Sequence, residues 1–141
     1  AKDDADKRGE ANARWWLAKT DLETGSFDAV GTTLREVLQS FREFKMQAEL
    51  LSCLEDLAAL VHHDDAHEVA VRLIAAAALS RERLHLPRSP RSQKRWQALM
   101  EALHEALGAA AFDATWEAAR PWEIEDAIRT ALAAHGETVE P

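Results

Sequence analysis

Apolar side chains recur at helical spacing along almost the whole chain. The cleanest stripe is Phe27, Val30, Leu34, Val37, Leu38, Phe41 and Phe44, which share one face at a 3.6-residue period. Before it, Ala13, Trp16, Leu17 and Thr20 form a stripe widened by Trp15, Ala18 and Leu22. That pattern predicts a first helix from about Asp6 to Thr24, closed by Gly25, with Ser26 as N-cap of the second. A third helix carries Leu50, Leu51, Leu54, Leu57, Ala58 and Val61, extended by Cys53 and Leu60. His62 to Asp65 reads as a turn, with Asp65 and Glu68 spaced as a capping box. The fourth helix, about Ala66 to Leu84, is apolar nearly all round, which predicts packing on several sides.

Pro87 and Pro90 bracket the one strong breaker segment. A fifth helix follows with Trp96, Leu99, Met100, Leu103 and Leu107 in register, closed by Gly108. A sixth holds Phe112, Thr115, Trp116 and Ala119 and ends before Pro121. A seventh holds Ile124, Ala127, Ile128, Ala131 and Leu132, stops at His135-Gly136 and leaves a frayed tail. No alternating strand pattern appears, so the expected class is all-α. The second stripe should pack on Leu54, Leu57 and Leu73. Trp96, Leu103, Phe112, Trp116 and Ile128 should meet in one C-terminal cluster.

The helices repeat at an offset of about 40 residues. Leu17-Ala18, Gly25, Phe27, Val30, Leu34 and Val37 are followed by Leu57-Ala58, Asp65, His67, Ala70, Ile74 and Ala77. The pattern describes a helix-turn-helix unit used twice, over residues 6–86, with capping helices over 87–135. Such units stack into surfaces for partners.

Composition adds limits. The 141 residues are 47% hydrophobic, enough for a core without staples. A net charge of −8 disfavours direct nucleic-acid binding. No apolar run reaches membrane-spanning length and no secretory signal opens the chain, so a cytoplasmic location is expected. The chain begins at Ala1, which predicts a processed protein or a piece of a longer one. Its single cysteine, Cys53, lies among leucines and reads as a buried, inert thiol, not a nucleophile.

Candidate chemistry is sparse. His62, His63, Asp64, Asp65, His67 and Glu68 are the right ligand types for a divalent metal. They fall at a helix-helix turn, where polar residues are expected, so no metal and no cofactor is predicted. No Gly-rich phosphate loop exists. Trp16, Trp96 and Trp116 lie on apolar stripes and read as core, whereas the pattern leaves Trp15 and Trp122 open to partial exposure. Arg88 and Arg91 mark a basic loop in an acidic chain; it reads as solvated, with phosphate contact as the alternative.

The order large-small-Gly-aromatic-small-large in Leu17, Ala18, Gly25, Phe27, Val30 and Leu34 resembles a tetratricopeptide repeat. Further stretches widen the likeness: residues 52–87, the W-x-x-L-x-x-x-L-x-x-x-L-G segment from Trp96 to Gly108, FDATWEAAR and EIEDAIRTAL. Together they resemble the C-terminal helical region of large bacterial signalling ATPases and MalT/LuxR-type transcription regulators. Gly25-Ser26 stands where that family has Gly-Asp, Phe44-Lys45-Met46 where it has Leu-Gly-Asp, and Ala119 where it has Gly. The resemblance implies a non-enzymatic sensor or scaffold module. Its partner would be a protein, other domains of the parent regulator, or a small inducer. A stand-alone small-ligand sensor and a helical metalloenzyme are the competing readings. In such a stack the first helix of each pair lines the concave side. That places Asn12, Trp15, Lys19, Ser52, Glu55 and His62 on the expected partner surface.

Overall fold

The computed structural model describes residues 2–25, 27 and 29–137. Seven helices account for nearly all of them: α1 (Lys2–Thr24), α2 (Val30–Glu43), α3 (Gln47–His63), α4 (His67–Leu84), α5 (Pro90–Leu107), α6 (Ala109–Ala119) and α7 (Ile124–Glu137). No strand occurs among the described residues. The chain is all-α, as its periodicity predicts. The expected cap at Ser26 and the tail beyond Glu137 lie outside the described residues. Helix α7 runs through His135-Gly136, where the sequence predicts its stop.

α1 packs on α2, α2 on α3, and α3 on α4. α5 lies against α3 and α4, α6 against α4, and α7 returns across α2, α3 and α4. The multi-sided apolar surface of α4 is therefore largely covered: Ala70, Val71, Leu73, Ile74 and Ala75 to Ala77 are all buried. On α2, Val30, Leu34, Val37, Leu38 and Phe41 are buried in one core with Leu54, Leu57 and Leu73.

The tight connections share one device. Lys45, Asp65 and His85 each take a positive φ. The amides of Met46, Ala66 and Leu86 then reach back to the carbonyls of Phe41, Val61 and Arg81, at 2.8, 2.8 and 3.0 Å. This closure satisfies the last carbonyls of α2, α3 and α4 without glycine. Asp65 therefore ends α3 and does not cap α4, whose N-cap Ala66 has no side-chain hydrogen bond. Pro90 opens α5 behind Ser89, whose hydroxyl accepts from the Ser92 amide, so the breaker segment is shorter than its two prolines suggested.

The 40-residue offset has a physical counterpart. Ala18 and Ala58, Val30 and Ala70, Leu34 and Ile74, and Val37 and Ala77 are all buried. Gly25 and Asp65 both have positive φ. Leu17 breaks the series: it is 69% exposed, whereas Leu57 is fully buried. The buried face of α1 is Ala11, Trp15 and Ala18, not the Ala13–Trp16–Leu17–Thr20 stripe. Trp15 decides this rotation. Its ring meets Phe41 edge-on at 5.4 Å and its Nε1 donates to Asp56 Oδ2 at 2.8 Å. The buried indole N–H thereby has its acceptor, and the face carrying Trp16 and Leu17 turns to water. Trp16 is 56% exposed as a result.

The C-terminal cluster forms in part. Leu103, Phe112 and Ile128 join the core and Trp116 packs on it. Trp96 does not; its ring lies beneath Arg88, 4.2 Å from the guanidinium carbon. Trp122 is partly exposed, as expected, and packs its buried side against the core.

Candidate functional site

Four of the six residues expected at the partner surface converge: Trp15, Lys19, Ser52 and Glu55. Lys19 of α1 and Ser52, Glu55 and Asp56 of α3 meet the start of α5 around a small cleft. Beside it opens a cavity of about 480 Å³, lined by Trp15, Trp16, Lys19 and Ser52 on one side and Arg81, Arg88 and the first turn of α5 on the other. Asn12 and His62 lie apart. The Asn12 amide donates to the Arg8 carbonyl on its own helix at 3.3 Å. His62 is half-buried against His67, Nδ1 to Nδ1 at 2.9 Å. Trp15 is buried, so it forms the back wall of the site and is not an exposed anchor.

Glu55 organises the site. Its Oε2 accepts from Arg81 Nε and from Arg88 Nε, each at 2.9 Å, and its Oε1 from Arg81 Nη2 at 3.1 Å. Arg81 Nη2 also reaches Ser52 Oγ at 3.0 Å, and its Nη1 donates to the Leu86 carbonyl at 3.0 Å. These side chains are shut from water: Arg81 is 7% exposed, Arg88 10% and Glu55 11%. The Arg88 loop, expected to be solvated, is thus docked. Its segment supplies the carbonyl that Arg81 requires, and its own guanidinium shares Glu55. Burial lowers the pKa of Arg88, against the opposing pull of Glu55. Arg88 Nη2 and Trp96 Nε1 are buried without a hydrogen-bond partner.

A second ion pair lies behind the first. Asp56 accepts from Trp15 Nε1 and from Arg95 Nη2, the latter at 2.9 Å. Burial nevertheless holds its carboxyl above the usual 3.8, outweighing Arg95, Trp15 and Lys19. A carboxyl raised in the fold contributes most to stability below its unfolded value and loses that contribution as pH rises through the folded one. The stability gap between the wild type and Asp56→Asn is therefore expected to narrow as pH rises from 3.8. Urea denaturation of both proteins across that range checks it. A gap that widens with pH means that Arg95 overcomes the burial penalty.

The remaining titratable groups are less engaged. Burial, then the neighbouring His67, lowers the pKa of His62. The Cys53 thiol donates to the Leu34 carbonyl at 3.3 Å, and burial pushes its pKa well up, away from the nucleophilic thiolate. Among the described residues, no group of three His, Cys, Asp or Glu side chains is arranged to hold a metal ion. In the cleft each carboxylate is already held by guanidinium. What the arrangement presents to solvent is cationic: Lys19 lies over the Trp15 and Trp16 rings at 4.4 and 4.9 Å, and Arg91 and Arg95 stand at the start of α5.

Sequence reasoning missed Arg81, Asp56 and Arg95. One signal was present. Glu55-Asp56 interrupts the leucine-rich face of α3, and a carboxylate pair at a core register demands cationic partners. Nothing local names those partners, which lie 26 to 39 residues away in the chain.

No helix among the described residues is long and apolar enough to cross a membrane. No protein-family model, no curated protein and no solved structure matches this chain.

Proposed function

We propose that this chain is a non-catalytic binding and regulatory module, the sensor or scaffold part of a bacterial signalling regulator. The observation that carries this reading is the cationic cleft between α1, α3 and α5, in a chain of net charge −8. Exposed Trp16 borders it, and a large aromatic beside a charged rim is a common anchor at protein interfaces. An acidic segment of a partner domain is the complementary ligand. The variant Trp16→Ala/Lys19→Ala is expected to keep its thermal melt and to lose association with the parent regulator's other domains, measured by calorimetry. Unchanged binding by the folded variant places the docking face elsewhere.

A second cavity supports the small-inducer reading. It holds about 340 Å³ between α2, α3, α4 and α7, with Leu50, Leu51 and Ile128 as its floor and Leu84 at its edge. That volume suits a small organic ligand.

A further inference from the structure

We propose that the cavity between α1, the Arg81–Arg95 segment and α3 is a phosphomonoester site, with Arg88 and Lys19 as its principal cations. This rests on the reading of the cleft as a binding face and names the chemistry it takes.

Charge balance comes first. Arg91 is paired with Glu23 at 3.2 Å and Arg95 with Asp56 at 2.9 Å. Glu55 alone serves both Arg81 and Arg88. One positive charge of that triad is left over. Lys19 adds another, since no ion pair joins it to a carboxylate among the described residues and its ammonium rests on two indole rings. Two uncompensated positive charges around one cavity match a phosphate monoester, which carries −1.5 to −2 near neutral pH. A carboxylate would neutralise only one.

Hydrogen bonding points the same way. Arg88 lines the cavity with a side chain nine-tenths buried. Its Nε is taken by Glu55 and its face by Trp96, while Nη2 is shut from water with no acceptor. A buried guanidinium N–H without an acceptor is costly, and a turn of the Arg88 guanidinium toward the cavity would give Nη2 one on a seated anion. The N-terminus of α5 adds the positive end of an 18-residue helix, with Ser89 and Ser92 also lining the space.

The test is calorimetry and tryptophan fluorescence on the full chain, with phenyl phosphate as probe and acetate as a singly charged control. Wild type is expected to bind phenyl phosphate, with competition by sulfate and none by acetate. Lys19→Ala is expected to weaken binding about tenfold, and Arg88→Lys at least as much. Melts of both variants separate lost binding from lost folding, and Lys19→Ala alone suffices if Arg88→Lys does not fold. An acidic phosphoserine peptide that binds more tightly than phenyl phosphate places the phosphate on a protein partner. Equal affinity for the two places it on a free small molecule. No binding of either at millimolar concentration, or binding unchanged in folded Lys19→Ala, overturns the proposal. If partner association still depends on Trp16 in that event, the docking face stands and only the phosphate chemistry fails.

Discussion

Replacing Arg81 with methionine is expected to destabilise the fold by about 3–5 kcal/mol, the range for breaking one side of a buried ion pair. Arg81 is 7% exposed and donates to Glu55, Ser52 and the Leu86 carbonyl. Methionine fills much of the space but leaves the Leu86 carbonyl without this donor and Glu55 with one guanidinium in place of two. The connection from α4 to α5 loses its tie to α3, so Arg88 should also become more accessible. Chemical denaturation measures the stability, and hydrogen exchange at residues 85–89 reports the loosened loop. A variant within about 1 kcal/mol of wild type would mean that Arg88 alone satisfies Glu55.

Leu57→Ala is expected to cost about 2–5 kcal/mol. Leu57 is fully buried at the middle of α3, in the core that α2, α3 and α4 share. Its surroundings include Leu34, Leu54 and Leu73, each fully buried in helices pinned on other sides, so the void cannot close easily. At this chain length the loss corresponds to a fall in Tm on the order of 10 °C. A thermal melt within a degree or two of wild type contradicts the packing. Leu17→Ala is the matched control at the same repeat position. That side chain is mostly in water, so its removal should leave the melt nearly unchanged.

The contrast between those two leucines shows what was legible. The spacing of α2 and α3 marks their buried faces because a 3.6-residue period depends only on a helix's own geometry. Gly25 and Gly108 mark the ends of α1 and α5 for an equally local reason, since a left-handed closure strains other residues. Lys45, Asp65 and His85 perform the same closure with no such sign, because hydrogen bonds to the preceding turn hold them there.

By itself, then, the sequence determined the helical class, the approximate helix bounds and the core faces of α2, α3 and α4. It also marked Lys19, Ser52 and Glu55 as residues of one surface. Only the tertiary structure decided the rotation of α1, which buries Trp15 and exposes Trp16 and Leu17. It alone docked Arg88 and put Arg81 and Arg95 on the two carboxylates. The reason is distance along the chain. Trp15 and Asp56 are 41 residues apart, and Glu55 and Arg88 are 33 apart. A polar group in a core takes whichever partner the packing of other helices brings within reach, and no local period encodes that choice.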